Sequence, residues 1–221
     1  IGMANATGTR RKLLLTASIV GNLGLLGIFK YYDFFVENLS TAFTFFGVHL
    51  DPARLDLILP VGISFYTFQC MSYTIDVHRG KIPPSRDGVP LLTYIAFFPQ
   101  LVAGPIERAN DLLPQFSERR EFDYNKAVDG LRQILWGLFK KVVIADSCAE
   151  LVNPIFADPA AHSGSTLALG AVLFAFQIYG DFSGYSDMAI GTARLFNFNL
   201  VQNFAFPYFS RDIAEFWRRW H

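Results

Sequence analysis

The chain has 221 residues, with 19 Lys plus Arg balanced by 19 Asp plus Glu, so its formal net charge is zero. Charged residues make up 17% of it, against ~25% in an ordinary soluble domain, while hydrophobic residues reach 52% and Phe alone occurs 23 times. That composition excludes a disordered chain, which needs low hydrophobicity and high net charge. It also argues against a nucleic-acid binder, which needs a basic excess to release counterions from phosphates. Two cysteines, one of them Cys70 inside an apolar run, make no disulfide framework.

The charges fall in clusters, leaving four long gaps. Leu13 to Phe29, Leu57 to Ile75, Gly88 to Ile106 and Pro159 to Gly180 carry no Asp, Glu, Lys or Arg. A helix needs about 20 largely apolar residues to cross a bilayer, so the pattern predicts an all-α polytopic membrane protein. No small-residue cleavage pattern follows the first run, and more runs come later, so it does not read as a secretory signal. The chain opens on Ile1 rather than Met, and the expectation is a piece of a longer protein.

Lys and Arg in short loops set orientation. Arg10, Arg11 and Lys12 precede the first run, residues 30–56 carry only Lys30 and Arg54, and Arg79, Lys81 and Arg86 follow the second run. This predicts an inside start, an outside loop and a return inside. The third run contains Pro90, Pro99 and Pro105, and a crossing there would leave Arg108, Arg119, Arg120 and Lys126 outside. A re-entrant segment over 88–106, lining an internal cavity, removes both difficulties. Residues 127–152 have apolar positions at helical spacing, interrupted by Arg132, Lys140 and Lys141. They either lie along the cytoplasmic interface or cross outward with the lysines near the headgroups. The loop 153–165 has neither Lys nor Arg, which fits an outside position.

Two polar clusters carry the candidate chemistry. Asp181-Phe-Ser-Gly-Tyr-Ser-Asp187 places two carboxylates, two serines and a tyrosine at the end of the last apolar run. On a helix Asp181 shares a face with Tyr185, and Ser183 with Asp187. Gly180 and Gly184 form a small-xxx-small pair that lets a neighbouring helix approach. The plainer reading is a helix end, where Asp181 or Ser183 caps a new helix. The second cluster is Arg211, Asp212, Glu215, Arg218, Arg219 and His221, threaded with Phe216, Trp217 and Trp220. Helical spacing pairs Arg211 with Glu215, and Glu215 with Arg218 or Arg219. It also puts His221 on the face of Trp217 and Arg218, in the composition of a membrane interface.

Read in order, Phe97-Phe-Pro-Gln-Leu-Val-Ala-Gly-Pro-Ile-Glu-Arg108, the 181–191 segment and Glu215-Phe-Trp-Arg-Arg-Trp-His221 resemble the membrane-bound O-acyltransferase family, in its alginate O-acetylation branch. Leu59 to Gln69, Asp76 to Lys81 and Gly137 to Asp146 look like segments of the same branch, so the resemblance covers nearly the whole chain. His78 stands where many relatives have tyrosine. The resemblance implies helices arranged around a central funnel, in one integral membrane acyltransferase domain over 1–221. It implies that N-terminal helices and a C-terminal half bearing a second functional histidine lie beyond this chain, and that the isolated piece is inactive. His221 matches the first functional histidine, the catalytic candidate. Candidate substrate-binding positions are Gln100, Arg108, Asp181, Tyr185 and Ser186, together with Asp187, Trp217, Arg219 and Trp220.

The implied reaction is transfer of acetyl from a thioester to a hydroxyl. A histidine of near-neutral pKa takes the hydroxyl proton, and positioned donors stabilise the oxyanion. By residue type Tyr185, Ser186 and Arg219 are candidates for the donors, and Asp181 or Asp187 for orienting a histidine or an arginine. No bound cofactor is implied, with acetyl-CoA as the cytoplasmic donor. His49, His78, His162 and His221 lack metal-ligand spacing. Implied partners are the lipid bilayer and extracytoplasmic acetyl-transfer proteins that modify a polysaccharide, and the implied location is the bacterial inner membrane. Two rival classes are a transporter or channel subunit, which also uses re-entrant segments and buried carboxylates, and a non-catalytic membrane scaffold.

Overall fold

The computed structural model describes residues 2–3, 6–49, 53–102, 104–105 and 107–221, all helix, turn or loop apart from one isolated bridge. Contacts divide the chain into two compact units, one of residues 1–96 and 108–116, the other of 97–107 and 117–221.

The first unit is built on α1 (Gly8–Phe45) and α2 (Ile63–His78). Arg11 donates to the carbonyl of His78 at 2.7 Å, Ser18 to Thr74 at 3.3 Å and Lys30 to Ser64 at 3.3 Å, so the two helices run antiparallel. Along α1 only Leu26 is buried, while Leu13, Val20, Leu25, Phe34 and Phe35 are exposed. A long helix that is apolar on all sides belongs in a protein core or in lipid, and this one is not in a core. The charge-free stretch 57–75 turns helical only at Ile63. Pro60 and Gly62, the latter at φ 77°, hold the chain in a turn before it. Asp87 caps α3 (Gly88–Ile95) by accepting from the Val89 N–H at 2.9 Å, and the short α4 (Ala109–Leu112) completes the unit.

The charge-free stretch 88–106 is therefore no continuous helix. It breaks after Ile95 and resumes as a single 3-10 turn at Phe98–Gln100, because a proline inside a helix removes a donor and disfavours helical geometry in the residue before it.

The second unit centres on α5 (Tyr124–Leu138), a π-helical segment (Phe139–Ala145), α6 (Asp146–Ala157) and α7 (Gly164–Leu195). Asp123 and Ser163 cap α5 and α7 through the N–H groups of Lys126 and Thr166. Residues 127–152 thus belong to one unbroken helical run. At 32 residues α7 is about 48 Å long, more than the ~30 Å hydrocarbon core. It continues well past Gly180, so Asp181 to Asp187 lies inside the helix. The helix-end reading of that cluster is corrected: no cap forms there, since Ser183 turns back to the Tyr179 carbonyl at 2.6 Å as helix-interior serines do.

Glycines bring α5 and α7 together. A Cβ on Gly130 would lie 2.6 Å from the Gly191 carbonyl oxygen, and one on Gly184 2.7 Å from that of Gly137. Each pair is seven residues apart on its helix, giving an antiparallel seam of backbone against backbone. The expected close approach at Gly180 and Gly184 is present, with Gly180 against the carbonyl of Lys140 and the side chain of Ala145.

By length and composition α1 and α7 can each cross a bilayer. The last elements are a 3-10 turn at Pro207–Phe209 and α8 (Ile213–Arg219).

Candidate functional site

The site lies in the second unit, where α7 meets the residues that follow α8. The π-helical segment places Lys140 and Lys141 against α7, one on each side of the glycine contact. Lys140 is buried, forms an ion pair with Asp187 and donates to the Ser183 hydroxyl at 3.0 Å. Gln133, two helical turns earlier, donates its amide to the other oxygen of Asp187 at 3.0 Å. The predicted shared face of Ser183 and Asp187 is therefore real, and a lysine is what it faces. A charge buried among apolar helices is tolerated when it is paired and hydrogen-bonded, and Lys140 meets both conditions. On the other side Lys141 bridges Asp181 and Asp146, each at 2.6 Å. Asp181 and Tyr185, the other predicted face, line a second hollow with Lys141, Phe182 and Met188.

The Trp-His string is anchored separately. Asp212 caps α8 by accepting the Glu215 N–H at 2.6 Å. Glu215 is gripped from both sides, by Arg211 through its backbone N–H at 2.9 Å and its guanidinium at 3.1 Å, and by Arg219 at 2.6 Å. Those donors, the Arg211 backbone N–H first, push the Glu215 carboxyl down to about 2. Of the two expected partners Arg219 is the one that pairs with Glu215.

The helix stops at Arg219, and His221 therefore does not share a helical face with Trp217 and Arg218. Trp220 is extended and bridges antiparallel to Phe204, with the Ala205 N–H donating to the Arg219 carbonyl at 3.0 Å. The next residue is thereby carried toward α7. The His221 ring sits 4.6 Å from that of Phe182 and 6.2 Å from that of Phe204, centroid to centroid. Trp220 packs on Phe204, Phe216 and Tyr179. The two polar clusters, distant in sequence, meet through Phe182 and Tyr179 of α7.

Beside the first cluster lies a cavity of about 200 Å³ lined by Gln133, Trp136, Lys140, Tyr179, Ser186, Asp187, Gln202, Asn203, Phe204 and Phe206. An adjoining apolar groove of about 720 Å³ shares Trp136, Lys140, Tyr179 and Phe206 with it. Of the candidate residues, Ser186 and Asp187 open on the polar cavity, and Trp220 and His221 stand beside its Tyr179 and Phe204 walls. Trp217 is exposed, and the Arg219 guanidinium is held by Glu215. Gln100 is buried in the 3-10 turn that packs on α7, and Arg108 belongs to the first unit. Glu107 is also buried and accepts the Val201 N–H.

Gln133, Lys140 and Asn203 were not anticipated as site residues. Lysines inside an apolar helical run were the available signal, because at membrane depth a lysine requires a partner.

The sequence profile of the membrane-bound O-acyltransferase family matches residues 86–221, which hold the whole of this site. The chain belongs to that family. Among curated members it is 43% identical over 222 residues to a protein of Azotobacter vinelandii named "Probable alginate O-acetylase AlgI", covering all of this chain and 44% of that protein. A protein of the same name from Pseudomonas aeruginosa is 42% identical, again over the whole chain and 42% of the relative. A "Peptidoglycan O-acetyltransferase" of Helicobacter pylori is 36% identical over 96% of the chain and 44% of its own length. The chain thus spans less than half the length of these relatives. Membership in the family, together with α1 and α7, makes this an integral membrane protein.

Proposed function

We propose that the protein is a membrane O-acyltransferase that moves an acetyl group from a cytoplasmic acetyl-CoA-type thioester to a hydroxyl acceptor, for O-acetylation of an alginate-like polysaccharide. The single observation that carries this reading is the position of His221, whose ring is set 4.6 Å from that of Phe182, within the 181–187 segment of α7. The family match and the names of the relatives support the reaction class.

His221 takes the proton of the attacking hydroxyl, a contribution of typically 10²–10⁴-fold. Aromatic neighbours hold the imidazole in place. Breakdown of the tetrahedral species expels the thiol, and the acyl group stays on the acceptor oxygen. Ser186 and Asp187 serve substrate from the polar cavity, with Trp220 closing the aromatic wall beside them. Asp181, Tyr185, Gln100, Trp217 and Arg219 form the wider binding set, in which Arg219 acts by fixing the end of α8. The full protein, with further helices around a funnel and a re-entrant 88–106 segment, works in a bacterial inner membrane and hands the acyl group to extracytoplasmic partner proteins.

The test is label transfer from radiolabelled acetyl-CoA by the complete, membrane-reconstituted protein, with and without His221→Ala. Loss of at least 10²-fold in the variant, with unchanged insertion and yield, is the expected result. Equal transfer by both proteins removes His221 from the chemistry.

A further inference from the structure

The polar cavity beside Lys140 contains hydrogen-bonding capacity that the protein does not use. The Ser186 hydroxyl, the Gln133 Oε1 and the Asn203 Nδ2 are all buried without a partner, and Ser186 is only 2% exposed. The Gln133 amide is oriented by its other end, since its N–H donates to Asp187, which leaves the oxygen as a free acceptor. Asn203 presents a donor, and a serine hydroxyl serves as either. Buried polar atoms with no partner cost free energy, and where several converge in one pocket they call for a ligand group. The cavity, about 200 Å³, is several times the ~30 Å³ share of one water molecule. It is smaller than the ~300–1,000 Å³ of a pocket for a drug-sized ligand. One ring fits it.

The walls narrow the chemistry further. The formal charges among the lining residues are Lys140 and Asp187, which neutralise each other in an ion pair. An anionic ligand would compete with Asp187 for the ammonium and leave a buried carboxylate exposed to its own desolvation cost. Trp136, Tyr179, Phe204 and Phe206 supply apolar faces around the polar groups. A unit that satisfies donors and acceptors at its edge, carries no charge and offers C–H faces to aromatic rings is an uncharged sugar.

We infer that this cavity is a subsite for one neutral sugar ring, whose hydroxyls bond Ser186, Gln133 and Asn203. Its role as the acceptor subsite rests on the acyl-transfer reading above, but its binding of sugar does not. A neutral ring here makes the acceptor an uncharged hydroxyl-bearing sugar rather than a uronate, which narrows the polysaccharide named above.

The test is saturation-transfer NMR on the full-length protein in lipid nanodiscs. The probes are a neutral methyl glycoside, the corresponding glucuronide and an N-acetylserine amide. The expected result is a glycoside signal in wild type that weakens at least tenfold in Asn203→Leu and Ser186→Val. Ser186→Ala, the smaller change, gives the same direction if the valine variant fails to melt like wild type. Glycoside binding that survives all three variants, or is absent from wild type, overturns the inference. Stronger binding of the glucuronide overturns its neutrality, and stronger binding of the serine amide replaces the sugar with a protein hydroxyl. Transfer of label from radiolabelled acetyl-CoA to acceptor by the reconstituted wild type is followed in parallel. Its absence counts against acyl transfer and leaves the binding result to judge the cavity alone.

Discussion

Two antiparallel helix pairs share this chain, and they are held by different physics. In α1 and α2 the axes are linked by a few side-chain hydrogen bonds, Arg11 to the α2 C-terminus, Ser18 to Thr74 and Lys30 to Ser64. Glycines 21, 24 and 27 of α1 have nothing within 4 Å of where a Cβ would stand. In α5 and α7 the glycines are the contact itself, and a buried lysine is locked to a carboxylate beside them. In lipid there is no hydrophobic drive between helices, so close packing and polar pairing set their association. The pair that builds the candidate site has both devices, and the pair that does not has neither to the same degree. Fixed geometry at the site requires fixed helices.

The sharpest way to break that contrast is to add a methyl group. Gly184→Ala drives a carbon to 2.7 Å from the Gly137 carbonyl oxygen, and overpacking of this kind costs about 1–3 kcal/mol or more. Gly24→Ala in α1 meets nothing and is expected to be neutral or to stabilise by about 0.5–1 kcal/mol. Thermal unfolding of the purified full protein should lower the midpoint in the first variant only. Equal effects in both would mean that the seam is not close-packed.

Charge gives a difference of comparable size. Lys140→Met leaves Asp187 without its cation, and breaking a buried pair costs about 3–5 kcal/mol where burial is complete. Asp187 retains some exposure, so the lower end is expected. The double variant Lys140→Met with Asp187→Leu should recover much of the loss, a coupling read from a double-mutant cycle. Lys30→Met, an exposed site on α1, should change stability by less than about 1 kcal/mol.

Acid probes the anchor of α8. Glu215 has its carboxyl held at about 2, below the ordinary 4.5, so its contribution is fully present above that ordinary value. It is lost as pH falls from about 4.5 toward 2. Tryptophan fluorescence from Trp217 and Trp220 should shift over that window, and Glu215→Gln should flatten the shift. A transition unchanged in the variant would assign it to another carboxylate. A comparably small effect is expected for Arg11→Ala, which removes the guanidinium's bonds to the Val77 and His78 carbonyls at the end of α2, together worth about 1 kcal/mol. It should register as faster hydrogen exchange at the last turn of α2 and nowhere in α7.

Much of this was legible in advance. Apolar runs free of charge locate α1 and α7, since a lipid-facing helix must be apolar on most sides. Spacing of three and four predicts the Glu215 pairing and the common face of Ser183 and Asp187, because a helix fixes those neighbours locally. Pro99 signals the broken backbone of the third run, whereas Pro90 sits in the first turn of α3, where a proline is tolerated. Other features were not legible. The run 57–75 reads as one span, yet its first part is a turn, for Gly62 takes a left-handed conformation that periodicity does not register.

What the sequence by itself determined is the set of local facts: membrane class, the helices that propensity and polarity dictate, and the motifs that resemble an acyltransferase family. The tertiary structure alone decided which cluster meets which. Lys140 finds Asp187 because the glycine seam sets one register of α5 on α7. His221 finds Phe182 because Trp220 leaves the helix to pair with Phe204. Both depend on contacts between residues far apart in the chain, and no periodicity along one segment encodes the partner it will meet on another.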